Sequence, residues 1–91
     1  MDRHRVFGVG IRGAGQVARQ HVEAIAANPH LRLAAVCSRR HESALRLARE
    51  FAGAAKEGPP VSVFRHYPDL LADAAVDIVS ECMPNHLHAR E

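Results

Sequence analysis

The 91-residue sequence has no tryptophan, 4% aromatic residues, two cysteines and a formal net charge of only +2 at pH 7. Aromatic side chains are too few to stack nucleic-acid bases, and the basic residues are spread along the chain rather than clustered. A nucleic-acid-binding surface is therefore not expected. Cys37 and Cys82 have neither metal-type spacing nor a disulfide framework. No apolar run approaches the roughly 20 residues that span a bilayer, and residues 1–10 do not resemble a secretory signal. We therefore expect a cytoplasmic protein with no nucleic-acid or membrane partner.

Hydrophobic residues make up 47% of the sequence and charged residues 24%, which is typical of a small globular domain. Apolar runs of strand length alternate with stretches of helical periodicity. Strands are predicted over residues 6–11, 31–37, 61–64 and 76–82, and helices over 16–28, 42–51 and from 68 onward. This order predicts an α/β fold, a Rossmann-like parallel sheet with helices on both faces, truncated after the fourth strand.

The two longer predicted helices each carry an apolar stripe that would face the sheet. On the first helix the stripe consists of Ala18, Val22, Ile25 and Ala26. On the second helix it consists of Ala44, Leu45, Ala48 and Phe51.

Two overlapping glycine patterns lie in the stretch GVGIRGAG, residues 8–15. One is G-x-G-x-x-G beginning at Gly8, and the other is G-x-G-x-x-A beginning at Gly13. A phosphate-binding turn must follow a strand and start a helix. The first register leaves little strand before Gly8 and puts Gly13 and Gly15 into the helix, where each glycine costs about 1 kcal/mol relative to alanine.

The second register satisfies both requirements, so we predict that the turn begins at Gly13. Gly13 would make the tight turn, Gly15 would let the backbone approach a pyrophosphate, and Ala18 would keep the helix close to the strand. Gly8 and Gly10 then lie inside the first strand, where a neighbouring segment packs closely.

The second strand ends in Val-Cys-Ser-Arg-Arg, residues 36–40. In dinucleotide-binding folds an acidic residue at this point binds the ribose 2′-OH of NAD, whereas arginine accommodates the 2′-phosphate of NADP. Here Ser38 replaces the acid and is followed by Arg39 and Arg40. A hydroxyl and guanidinium groups bind phosphate, and so the sequence favours NADP while NAD remains possible. The alternative interpretation is that the two arginines simply solvate a loop.

The fourth predicted strand is followed by Met-Pro-Asn-His-Leu-His, residues 83–88, at the edge of the sheet where ligands bind in open α/β folds. Asn85 can equally cap the helix that starts here. Cys82, His86 and His88 do not have the spacing of zinc ligands, and no metal site is predicted.

Four segments together resemble the amino-terminal half of the Gfo/Idh/MocA oxidoreductase family. They are V-G-I-R-G-A-G-x-V-A-x-x-H (residues 9–21), L-x-A-V-C-S-R (33–39), Y-x-D-L-L-A-D (67–73) and V-D-I-V with P-N-H-L-H-A (76–89). The resemblance covers nearly the whole chain. It implies a Rossmann domain that binds NAD or NADP.

By position, the resemblance also implies three groups of cofactor contacts. The pyrophosphate would be lined by Gly13, Ala14, Gly15, Gln16 and Val17. The adenosine ribose or its phosphate would be bound by Ser38 and Arg39, with Arg40 beside them. The side toward the nicotinamide would be bordered by Pro84, Asn85 and His88.

The sequence departs from the family pattern at several positions. Arg12 stands where an aliphatic residue is usual, at the expected buried end of the first strand, while Ser80 and Glu81 place polar groups in an expected central strand. Burying an unpaired carboxylate costs several kcal/mol. Because the first and fourth strands should be neighbours, we expect Arg12 to pair with Glu81. His21 stands where the family often has histidine, and we interpret it as a packing residue.

The family's catalytic lysine, in a Glu-Lys-Pro segment, and its second α/β domain are absent from these residues. The sequence stops at Glu91 in what resembles the first turn of a helix. We therefore expect residues 1–91 to be an incomplete dinucleotide-binding domain without a catalytic residue. The C-terminal substrate domain would be absent and the full-length parent a homo-oligomer.

Three functions are consistent with these observations. The first is the cofactor-binding portion of an oxidoreductase that transfers hydride between NADP(H) and a sugar, polyol or related substrate. The second is a dinucleotide-sensing module without catalysis, and the third is an inactive truncated product.

Overall fold

The computed structural model describes residues 5–13 and 15–82. Strands and helices alternate along this part of the chain: β1 (Phe7–Arg12), α1 (Gln16–Ala27), β2 (Leu31–Cys37), α2 (His41–Glu50), β3 (Ser62–Phe64), α3 (Tyr67–Ala72) and β4 (Ile78–Glu81). A 3-10 turn (Ala52–Ala55) follows α2. The strands are all parallel and form one sheet in the order β3-β2-β1-β4. The predicted α/β fold is confirmed.

The two faces of the sheet are covered by different helices. On one face α1 and α2 contribute Val22, Ile25 and Leu47 to a core that includes Ile11 and Leu33. On the other face Leu70 of α3 packs against Ala35 and Cys37. Helices therefore lie on both faces, as predicted, and this arrangement leaves the strand ends free to form a site.

Five of the eight residues in the predicted helical stripes are buried; Ala26 is exposed, and Leu45 and Phe51 are half-buried. Ala18, Val22 and Ile25 of α1 are buried, but Ala26 is exposed because it follows Ile25 directly and is rotated by about 100° from it around the helix. In α2 the fully buried leucine is Leu47, while Leu45 is half-buried.

A β-bulge in β2 sets which of its side chains face which core. The pairing of β1 with β2 shifts between Val9 and Gly10, which lie opposite Leu33 and Ala35, so Ala34 is the extra residue. Without this shift, strict alternation would place Leu33 and Val36 on opposite faces. With it, both side chains join the core under α1 and α2.

Gly8 and Gly10 lie in β1 where other segments press against its backbone. A Cβ atom on Gly8 would lie 1.9 Å from the carbonyl oxygen of Ala75, and one on Gly10 would lie 2.9 Å from Cδ2 of Leu70. Gly8 also exchanges backbone and side-chain hydrogen bonds with Asp77, at 2.7 and 2.8 Å. These contacts confirm the predicted close packing. They also hold the segment between α3 and β4, which includes Ala75 and Asp77, against β1.

The end of α1 is held by the ammonium group of Lys56. Its Nζ donates to the carbonyl oxygens of Asn28 and Leu31, each at 2.5 Å, and of Ile25 at 3.3 Å. A cation at this position adds a donor to backbone carbonyl groups around the end of α1 and complements the negative end of the helix dipole.

Gly8→Ala is expected to destabilise the fold strongly, because the added methyl group overlaps the Ala75 carbonyl oxygen. We expect a loss of about 2–3 kcal/mol in the free energy of unfolding, measured by urea titration with far-UV circular dichroism. Gly53→Ala is the matched control, since nothing lies within 4 Å of its added Cβ. This control should be neutral or gain up to about 1 kcal/mol. Equal stability of the two variants would contradict the packing described for β1.

Candidate functional site

The chain leaves β1 through a tight turn at Gly13, where there is no room for any residue other than glycine. Gly13 has φ +126°, and a Cβ atom there would lie 2.6 Å from the carbonyl oxygen of Cys82. Its N–H donates to the carbonyl oxygen of Cys37 at 2.7 Å. Gly8 and Gly10 lie within β1 and α1 begins at Gln16, so the turn uses the register that begins at Gly13.

Gly15 is the N-cap residue of α1 and has φ +90° and ψ −163°. No atom of the described residues lies within 4 Å of the position that a Cβ would take. The first turn of α1 has no acidic residue and no side-chain cap. Its first N–H groups, including those of Gln16 and Val17, have no partner earlier in the helix and lie at the positive end of the helix dipole. This cradle has the shape and the charge to hold a phosphate group.

A second feature of the same edge is a cavity of about 340 Å³ at the carboxyl ends of β1, β2 and β3. It is lined by Arg12, Gly13, Cys37, Ser38, Arg39, Arg65 and Tyr67. Among the described residues, the lining therefore carries three guanidinium groups and two hydroxyl groups but no carboxylate. Such a set of groups favours an anionic ligand.

Of the residues predicted at the end of β2, Ser38 and Arg39 line this cavity and Arg40 does not. The N–H of Arg40 donates to Oγ of Ser38 at 3.3 Å, immediately before α2 begins. That bond uses the hydroxyl oxygen as an acceptor and leaves its proton available to a ligand.

Four of the seven lining residues were not among the predicted site residues: Arg12, Cys37, Arg65 and Tyr67. Arg65 directly follows Phe64, the last residue of β3. Because the carboxyl ends of parallel strands meet at one edge, the position of Arg65 after a predicted strand was a usable signal. Tyr67 begins α3 and brings its ring to the same edge.

The predicted pair of Arg12 and Glu81 is formed, with Nη1 3.7 Å from Oε2. The two residues are register partners in β1 and β4, so their side chains share one face. The guanidinium group also lies 4.0 Å from the centre of the Tyr67 ring, and the Tyr67 hydroxyl donates to Glu81 at 3.3 Å. These contacts hold Arg12 in place at the wall of the cavity.

The expectation that this pair is buried was wrong. The side chains of Arg12 and Glu81 are 38% and 43% exposed. Over the described residues β4 is an edge strand rather than a central one, and the pair stands at the open carboxyl edge of the sheet. An exposed ion pair of this kind contributes little to stability.

Two polar contacts brace α1 beside the glycine turn. Nδ1 of His21 lies 2.8 Å from Oγ of Ser80 and joins α1 to β4, but the residue is exposed, so it makes a polar surface contact rather than packing in the core. Arg19 forms a two-pronged ion pair with Glu50, which joins α1 to α2 and holds the pKa of Glu50 below its ordinary value. Both contacts fix the orientation of the helix whose first turn forms the cradle.

Four predicted site residues, Ala14, Pro84, Asn85 and His88, lie outside the described residues. Within residues 5–13 and 15–82, no cluster of three or more His, Cys, Asp or Glu side chains could hold a metal ion. No helix in this same part of the chain has the length and apolar character needed to cross a membrane.

Comparison with known proteins identifies the family of this arrangement. The model of the Gfo/Idh/MocA oxidoreductase family, described as an NAD-binding Rossmann fold, matches residues 7–90. No curated protein sequence matched the chain significantly.

Several solved structures are similar to the chain. KijD10, a 3-ketoreductase from Actinomadura kijaniata in complex with NADP, is 30% identical with a TM-score of 0.75 over 94% of this chain. A putative myo-inositol dehydrogenase from Sinorhizobium meliloti is 27% identical with a TM-score of 0.74 over 93%. Myo-inositol dehydrogenase from Lactobacillus casei, in complex with NAD(H) and myo-inositol, is 29% identical with a TM-score of 0.68 over 85%. The chain spans 24%, 23% and 21% of these three proteins respectively.

The two cysteines provide a test of the packing around the glycine turn. Cys37 and Cys82 are buried, and burial raises the pKa of both thiols. The thiolate is the reactive form, so a raised pKa lowers reactivity at pH 8. We expect both thiols of the folded chain to react with a disulfide reagent at least about tenfold more slowly than those of the urea-unfolded chain. Equal rates would show that the ends of β2 and β4 are not packed as described.

Proposed function

The chain belongs to the Gfo/Idh/MocA oxidoreductase family and has its NAD-binding Rossmann fold, and on this basis we propose that it binds NADP in preference to NAD. The whole protein to which such a domain belongs would transfer hydride between this cofactor and a sugar, polyol or related substrate. The observation that carries the proposal is the cradle at Gly15 beside a cavity lined by arginine and hydroxyl groups.

The pyrophosphate of the cofactor would be held by the turn and the first turn of α1. Gly13 keeps the turn tight, and the missing side chain of Gly15 leaves room for phosphate oxygens. The N–H groups of Gln16 and Val17 would donate to those oxygens, and Ala14 lies between the two glycines in the sequence.

The adenosine ribose would lie at the end of β2, against Ser38 and Arg39. A 2′-phosphate there would accept a hydrogen bond from the Ser38 hydroxyl and charge-assisted bonds from Arg39. Arg40 would contribute mainly through its N–H, which holds the Ser38 oxygen. Within residues 5–13 and 15–82, no carboxylate lines the cavity to repel the phosphate or to bind a free 2′-OH, and this supports NADP over NAD.

The nicotinamide would lie beyond the end of β4, where Pro84, Asn85 and His88 follow in the chain. A bound nicotinamide ring gives or accepts a hydride. The residues of this chain would hold the dinucleotide across the carboxyl edge of the sheet and orient the ring toward the substrate.

The substrate class is proposed from the solved relatives. They include a 3-ketoreductase and myo-inositol dehydrogenases, all about four times longer than this chain. Substrate contacts, the catalytic residue and a homo-oligomeric interface would then belong to parts of the whole protein other than residues 1–91. A cytoplasmic location would suit the use of a soluble dinucleotide.

Cofactor preference is tested by titrating the 91-residue chain with NADPH and NADH. The chain has no tryptophan, so the nicotinamide fluorescence can be followed without transfer from that residue, and calorimetry gives an independent value. We expect NADPH to bind about tenfold more tightly than NADH, because the 2′-phosphate adds charge-assisted bonds. Raising the salt concentration should reduce the difference. Equal dissociation constants would contradict the roles proposed for Ser38 and Arg39.

Gly15→Ala tests the pyrophosphate cradle. The new methyl group would occupy the open space, and the φ of +90° is unfavourable for alanine. We expect the dissociation constants of NADPH and NADH to rise together by about tenfold or more, since both carry the same pyrophosphate. Gly53→Ala, remote from the cradle, should bind both nucleotides like the unmodified chain. If Gly15→Ala weakened the binding of only one of the two nucleotides, the pyrophosphate would not lie in the cradle at Gly15.

A further inference from the structure

We propose that Arg65, at the end of β3, is a specificity-determining residue that binds the 2′-phosphate of NADP together with Arg39. This inference rests on the proposed function and adds to it a residue from a different strand. The preference for NADP would then depend on two loops, the β2–α2 loop with Arg39 and the β3–α3 loop with Arg65. Only the first of these was predicted from the sequence.

The strand register places Arg65 beside the end of β2. Cys37 and Phe64 are paired residues in the parallel strands β2 and β3. The residues that follow them, Ser38 and Arg65, therefore emerge next to each other at the same edge, with neighbouring strands about 4.8 Å apart. Both line the cavity that also contains Arg39. Register alone thus brings an arginine on β3 to the position proposed for the adenosine ribose.

The charges of the three lining arginines are not equivalent. Arg12 is paired with Glu81 and lies against the Tyr67 ring, so its charge is partly offset and its side chain is held to the wall. Arg39 and Arg65 make no ion pair with any residue in the described part of the chain. Both are exposed, and their charges are available to a ligand.

Two guanidinium groups that line one cavity without an acid repel each other. A phosphate carrying close to two negative charges removes that repulsion and matches the planar fork of each guanidinium group. A free 2′-OH offers neither effect. Arg65 should therefore contribute to NADPH binding and hardly at all to NADH binding.

A competing role for Arg65 is stacking of its guanidinium plane on the adenine ring. NADPH and NADH have the same adenine, so a stacking residue would strengthen both to the same extent. The two roles are distinguished by the ratio of the NADPH and NADH dissociation constants. Removing a phosphate-binding residue changes this ratio, whereas removing a stacking residue leaves it the same.

The test is to titrate Arg65→Gln and Arg65→Glu with NADPH and NADH beside the unmodified chain. We expect Arg65→Gln to weaken NADPH binding about tenfold and to change NADH binding less than about twofold. Arg65→Glu should weaken NADPH further, because a carboxylate repels the phosphate. Arg49→Gln is the matched control, since it removes an exposed arginine from the last turn of α2 and should leave both constants unchanged. Circular dichroism and urea unfolding of each variant establish that the fold is retained.

The outcomes separate this inference from the proposed function. If the unmodified chain prefers NADPH and Arg65→Gln keeps the same ratio, the role of Arg65 is overturned while the proposed function stands. If Arg65→Gln weakens NADPH and NADH binding to the same extent, the proposed phosphate-binding role of Arg65 is also overturned, and the residue is assigned to adenine stacking. If the unmodified chain binds neither nucleotide, or binds both equally, the proposed function and this inference fail together.

Discussion

The turn from β1 into α1 is squeezed between the ends of β2 and β4, and the site depends on this constraint. Gly13 donates to the Cys37 carbonyl oxygen on one side and leaves no space for a Cβ against Cys82 on the other. Its positive φ directs the chain into α1 within two residues. The first turn of the helix therefore begins at the edge of the sheet where β2 and β3 also end. Gly13 lines the arginine-lined cavity, and Gly15, two residues further on, begins the phosphate cradle.

Close backbone packing inside β1 supports this arrangement from below. Gly8 and Gly10 have neighbours at distances that no side chain permits, and so the chain after α3 can lie directly on the strand. Asp77 then pairs with Gly8 and brings β4 alongside β1 in the register that sets Glu81 opposite Arg12. Four glycines within eight residues thus perform two separate tasks, two for packing in the strand and two for the turn.

Sequence reasoning predicted the parts of the site that depend on local chemistry. The register of the glycine turn followed from the cost of glycine in a helix, and the ends of β2 were predicted at the residues where the structure has them. Ser38 and Arg39 were identified because they follow β2, but Arg65 was missed although it follows β3 in the same way. The bulge at Ala34 was missed as well, since it depends on how β1 and β2 pair rather than on β2 alone.

The sequence by itself determined the order of strands and helices, the turn at Gly13 and the replacement of an acid by Ser38, because each depends on residues adjacent in the chain. Tertiary structure decided most contacts between distant residues; the Arg12–Glu81 pair is the exception, because it follows from the expected neighbouring positions of the first and fourth strands. Parallel pairing of β2 with β3 brings Arg65 beside Ser38. The edge position of β4 over the described residues leaves Arg12 and Glu81 exposed rather than buried. The physical reason is that register and strand order arise from contacts between segments, which no single segment encodes.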